Sequence, residues 1–117
     1  MRDRPKRVGD EVRAVVSEML TRGEIKDPRI GFVTLTEVVM SPDLRRATIY
    51  FSLVGDAKAQ SDAETGLNSA AGFIRREIGA RIRLRSRPEI VFRFDGSFEH
   101  SEKISRLLKD LEEPHHD

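Results

Sequence analysis

Cysteine is absent from the 117 residues, which removes disulfide scaffolds, cysteine zinc sites, iron–sulfur clusters and thiol nucleophiles together. No apolar run approaches the roughly 18 residues of a membrane helix. The opening MRDRPKR leads into a helical pattern rather than the apolar stretch of a secretion signal. A soluble, cytoplasmic chain is therefore expected. Internal repeats, low-complexity segments and glycine-rich nucleotide loops are also missing. Neither sign of charge dominates, since 21 basic and 20 acidic residues leave a formal net charge of +1.

What is present is enough for one domain. A length of 117 residues suits a single core, and a domain over 1–112 with a disordered tail over 113–117 is expected. The 35% charged fraction puts much of the chain in water, so the six Phe must supply most of the large-area burial. Charge placement is more informative than its sum. Between Gly72 and Pro88, Arg75, Arg76, Arg81, Arg83, Arg85 and Arg87 face a single acid, Glu77. A segregated basic stretch attracts polyanions, and arginine forks suit phosphate.

Val8, Val12, Val15, Val16, Met19 and Leu20 form a helical stripe, predicting a first helix from about Pro5 to Arg22. Two strands follow, Phe32 to Ser41 and Arg45 to Leu53, joined by a Ser41-Pro42-Asp43-Leu44 turn. Ala47, Ile49, Phe51 and Leu53 alternate inward, while the first arm changes phase and so predicts a bulge near Thr36-Glu37. Ser61-Asp62-Ala63-Glu64 matches a capping box, placing the next helix start near Ser61. A break at Ser69-Ala70-Ala71-Gly72 divides it from a helix carrying Ile74, Ile78 and Ile82 to about Leu84. Pro88 to Asp95 is a third strand, and His100 to Glu112 a final helix. Phe32, Phe51, Phe92 and Phe94 read as core at strand spacing. The fold class is α+β, three strands covered by helices on one face.

These motifs occur in a specific order: Asp27-Pro28-Arg29-Ile30, Val38 to Leu44, Leu67-Asn68 leading into Ala70 to Arg75, Leu84-Arg85, Pro88 to Phe92 and Asp95-Gly96-Ser97. In that order, over Arg7 to Leu111, the chain resembles the ribosome-binding factor A family, bacterial small-subunit assembly factors with a type II KH-like fold. Many KH domains grip single-stranded RNA with a Gly-x-x-Gly loop. Here that junction is Ala70-Ala71-Gly72, so ordinary KH sequence readout is not carried over. The resemblance implies binding to the small (30S) ribosomal subunit and its 16S rRNA during late maturation, with processing of the RNA 5′ end and a role in cold adaptation. It implies no cofactor, metal, small-molecule substrate or membrane, and a monomer is expected.

The residues themselves point the same way. At 100° per residue, Arg76 and Arg83 lie opposite the Ile74, Ile78 and Ile82 side, with Gly79 between them leaving the surface low for a phosphate backbone. A plain solvated face is the alternative. Glu77 stands four residues before Arg81, so that cation is expected to be partly neutralised. Arg75, Arg85 and Arg87 add to the set, Ala70 and Gly72 form the junction, and Lys26 and Arg29 flank Asp27-Pro28 where they can join the same face. Arg2, Arg4, Lys6, Arg7, Arg45 and Arg46 read as solvated surface, and Tyr50 as an edge-packed aromatic.

A nuclease or hydrolase is the rival class. Asp95, Ser97 and His100 contain triad types but crowd within six positions and read as turn and capping residues. Asp56, Asp62 and Glu64 leave too few ligands for magnesium once Glu64 serves the capping box. His115 and His116 lack a further ligand. A third class, a module docking ribosomal proteins through the acidic last helix, stays open.

Overall fold

The valine stripe of the first helix meets a surface it can fill. In the computed structural model, which describes residues 3–96, α1 (Arg4–Thr21) buries Val8, Gly9, Val12, Val16 and Met19. Proline in its first turn costs no hydrogen bond, and Gly23 takes the left-handed backbone (φ +72°) just beyond its end. The hairpin follows as β1 (Thr34–Met40) and β2 (Arg46–Ser52), paired antiparallel. Its turn is held by Ser41, whose Oγ receives the Arg46 N–H at 2.9 Å, and by Leu44 in the left-handed region at φ +62°.

The expected bulge is present. Leu35 pairs with Phe51 and Glu37 with Tyr50, leaving Thr36 as the extra residue. Its Oγ1 donates to Asp95 Oδ2 at 2.7 Å, so the bulge also ties β1 to the end of β3. β3 (Glu89–Phe94) lies parallel to β2, giving the order β1-β2-β3. A parallel partner requires a crossover, and α2 (Ala57–Ser69) and α3 (Ala71–Arg81) supply it.

One sheet face is covered by all three helices. Leu35, Met40, Ala47, Ile49, Phe51, Ile90 and Phe92 are buried there with Ala63, Leu67, Ile74 and Ile78. Phe51 and Phe94 meet edge to face at 5.7 Å. The outer edge of β3 would expose unpaired backbone, and α2 closes it with side chains. Asn68 Nδ2 donates to Phe92 O at 3.1 Å, and its Oδ1 accepts from Phe92 N at 2.9 Å.

Three local expectations need correction. α2 begins at Ala57, not Ser61, because Asp56 caps it by accepting from Ala59 N at 2.9 Å. Glu64, assigned to the capping box, instead accepts from Phe94 N at 3.4 Å. Phe32 is 100% exposed rather than core: it follows Gly31 (φ +63°) and precedes the first paired residue of β1. α3 stops at Arg81, because Ile82 turns to extended backbone (φ −123°, ψ 134°) while keeping its side chain buried. The expected final helix and the 113–117 tail lie outside the described residues.

Gly9 marks the closest approach of helix to sheet. A Cβ there would stand 2.7 Å from the Val38 carbonyl oxygen, which the strand cannot move. Gly9→Ala is therefore expected to destabilise the fold by about 1–3 kcal/mol through overpacking, read as a lower denaturation midpoint. An unchanged midpoint would contradict this contact.

Candidate nucleic-acid interface

The break between α2 and α3 falls at Ala70, which caps both helices at φ −88°, ψ 0°. Its N–H bonds Leu67 O at 3.0 Å and Gly66 O at 3.3 Å, tightening the last turn of α2, while its carbonyl accepts from Ile74 N and starts α3. Gly72 lies inside α3 rather than at the break. A Cβ there would approach only Arg76 Nη1, at 3.9 Å. Gly72 is thus needed neither for the backbone angle nor for internal space, and it leaves an open floor beside Arg76.

The arginines divide into two groups. Arg81 is turned into a structural junction: its Nη2 meets Glu24 Oε1 at 2.8 Å and Glu77 Oε1 at 2.9 Å, with Glu18 at 4.0 Å from Nη1. These contacts raise its pKa, Glu24 most and Glu77 next. The Glu77 pairing is as expected; the Glu24 bond, spanning 57 positions, was not legible locally. Because Arg81 takes up the one acid of the 72–88 stretch, Arg75, Arg76, Arg83, Arg85 and Arg87 form no ion pair among the described residues. All five are exposed.

Around Gly79 the geometry differs from the expected low gap. Arg87 lies across it, so an added Cβ would meet Arg87 Cγ and Nε at 2.8 Å. Arg75 Nη2 donates to Arg87 O at 3.1 Å and anchors that loop to α3. Arg83 stands in the loop, not on the helix, and shares a shallow depression with Gly79 and Arg85. The structure therefore brings Arg75, Gly79 and Arg87 together, with Arg83 and Arg85 beside them.

Lys26 and Arg29 reach the helix break. Lys26 lines a cleft with Ser69, Ala70 and Phe73. Arg29 Nη2 donates to Ser69 Oγ at 3.3 Å, but its main partner is Asp27, reached by Nε at 2.9 Å and Nη2 at 2.6 Å. That bidentate pair largely cancels the Arg29 charge. Phe73, 36% exposed in this cleft, is a residue the sequence reading passed over, because it neighbours the buried stripe without belonging to it.

The Arg29 guanidinium and then the Arg29 N–H hold the Asp27 carboxyl at a pKa of about 2, below its ordinary 3.8. Because the folded value is the lower one, the ionised form favours the folded chain. This contribution is complete above about pH 4 and is lost as pH falls towards 2. Asp27→Asn is expected to flatten the acid limb of stability in that window. Parallel acid-unfolding curves for wild type and variant would contradict it.

A sequence profile described as Ribosome-binding factor A matches residues 4–108. A ribosome-binding factor A from Geobacter sp. (strain M21) is 45% identical over 108 residues, covering 92% of this chain and 90% of the relative. One from Geotalea daltonii is 46% identical over 114 residues, covering 97% and 92%. Among solved structures, a ribosome binding factor A solution structure from Thermotoga maritima aligns at a TM-score of 0.69 and 34% identity, covering 77% of this chain and 85% of that one. The Thermus thermophilus crystal structure aligns at 0.65 and 20% identity, covering 76% and 93%. A homology model of the Thermus thermophilus factor, fitted into a cryo-EM map of a 30S complex with that factor, aligns at 0.55 and 20%, covering 74% and 93%. The helix-strand-strand-helix-helix-strand order, with its mixed sheet, is the KH-like fold of these structures. By profile, by relatives and by fold, the chain belongs to the ribosome-binding factor A family.

Proposed function

We propose that this protein binds the small ribosomal subunit through its 16S rRNA, as a non-enzymatic cytoplasmic factor acting as a monomer. It supports late subunit maturation, including processing of the RNA 5′ end, and growth in the cold. The observation that carries the reading is the set of five exposed arginines without an ion pair among the described residues, Arg75, Arg76, Arg83, Arg85 and Arg87, beside the break at Ala70 and the open Gly72 floor. Lys26 and the Arg29–Asp27 pair border the same break. Membership of the family supports the partner, as does the 30S complex of the Thermus thermophilus relative. Guanidinium groups fix phosphates, shape selects the immature conformation, and no bond is made or broken. No helix among the described residues is long and apolar enough to cross a membrane.

Co-sedimentation with purified small subunits tests the reading: the protein should travel with intact subunits and be released by nuclease digestion. Retention after digestion would instead favour docking on ribosomal proteins. A second test uses Gly72. Gly72→Ala should stabilise α3 by up to about 1 kcal/mol while weakening subunit binding, because the added methyl raises the floor where phosphate approaches. Equal or tighter binding would contradict that use of the glycine.

A further inference from the structure

Arg4 and Arg45 stand outside the arginine set above, yet the fold carries both to one place. The start of α1, the β1–β2 turn and the 82–88 loop enclose a cavity of about 420 Å³ whose lining includes Arg4, Arg45 and Arg85. None of the three is in an ion pair among the described residues. We infer that this cavity is a binding site for a phosphate group, gripped by guanidinium forks from three separate elements.

The lining selects the ligand class. Among the described residues, three arginines and a single carboxylate, Asp43, line it, and that carboxylate is committed to the turn. Its Oδ1 accepts from Ser41 Oγ at 2.8 Å and from Arg45 N at 3.1 Å, which lowers its pKa and keeps it ionised. Forks carried on three separate elements can approach an anion from different directions, which suits a tetrahedral phosphate better than a planar carboxylate. Among the described residues no aromatic side chain lines the cavity to stack on a base, and Leu44 and Leu84 form its apolar walls.

The site is also built in advance. Arg45 N is bonded to Asp43, and Arg45 O accepts from Glu89 N at 2.7 Å, so the turn is fixed to the start of β3. The left-handed Leu44 sets the direction in which the chain leaves the turn. Arg75, bonded to Arg87 O, anchors the loop that carries Arg85. The backbone carrying Arg45 and Arg85 is thus set before a ligand arrives, and the ligand orders only the guanidinium ends.

Taken as an RNA site, the cavity rests on the function proposed above and extends it, adding a second phosphate contact next to the depression at Gly79, with Leu84 and Arg85 lining both. The phosphate can be an internal diester or a terminal monoester. The test is a titration of the full ¹⁵N-labelled chain, following backbone and arginine Nε signals. Its arms use inorganic phosphate, a ten-nucleotide single-stranded RNA with a 5′-phosphate, and the same RNA without it. Saturable shifts at residues 43–45 and 84–86, lost in Arg45→Gln and Arg85→Gln variants with unchanged unfolding midpoints, support the site. Equal response to both RNAs assigns it to diesters; a response needing the 5′-phosphate or inorganic phosphate assigns it to monoesters. Arg45→Gln should weaken RNA binding by about tenfold in the diester case. If RNA shifts residues 70–79, with or without 84–86, while no arm moves 43–45, the inference is overturned and the RNA-binding reading stands. If neither RNA binds, that reading fails, and the phosphate arm alone decides the cavity.

Discussion

Replacing Arg76 and Arg83 together by glutamate is expected to weaken binding to small ribosomal subunits by about 100-fold or more, with an unfolding midpoint close to wild type. Both side chains are exposed, and neither forms an ion pair among the described residues, so no ion pair described in the folded chain is lost when they change. On the proposed function each of the two forms a charge-assisted bond to phosphate worth on the order of 1.5 kcal/mol, and losing two gives about 100-fold in affinity before any repulsion from the new carboxylates. Arg81→Glu is the control in the opposite sense. That change sets a carboxylate among Glu18, Glu24 and Glu77, so it should lower the midpoint first. Subunit binding unaltered by the double replacement, measured by sedimentation or fluorescence anisotropy, would refute the assignment.

The second large effect lies in the core. Phe51 is fully buried on the central strand and packs edge to face on Phe94. Phe51→Ala is expected to cost about 3–5 kcal/mol, from lost burial plus the cavity left behind. Against a total stability of roughly 5–15 kcal/mol, this should lower the thermal midpoint by roughly 15 °C. Phe32→Ala removes a ring that is 100% exposed and should change stability by less than about 0.5 kcal/mol. Equal effects of the two substitutions, read by calorimetry, would contradict the described sheet.

The contrast between these phenylalanines shows where local pattern suffices. Phe51 sits in a strand whose alternation with Ala47 and Ile49 leaves one choice of inward face, and all three are fully buried. Phe32 lies two residues before pairing begins, where the pleat no longer dictates direction. The bulge was legible because a phase change in apolar residues has few other causes. The α2 start was not, because Ser-x-x-Glu occurs inside helices as readily as at their ends, and the Asp56 cap decides the boundary. Ile82 kept the helical spacing of the α3 stripe while the backbone had already turned extended, so Arg83 was placed on a helix that ends at Arg81.

For the candidate site, the basic stretch and the local Glu77–Arg81 pair were readable, since both depend on near neighbours. What sequence spacing cannot supply is convergence. Glu24 meeting Arg81, Arg87 lying over Gly79, and Arg4 joining Arg45 and Arg85 all depend on how the helices and the 82–88 loop close against the sheet. Those contacts decide which arginines remain free for a ligand.

The central claim is that unpaired guanidinium groups hold a folded polyanion without altering it. The salt dependence of subunit binding tests it most directly, measured for wild type and for the Arg76→Glu, Arg83→Glu variant. Neutralising about four phosphates predicts a slope of log affinity against log salt near −3 to −4 for wild type, shallower by about 2 for the variant. A wild-type slope near zero, or the same slope for both proteins, would contradict the account.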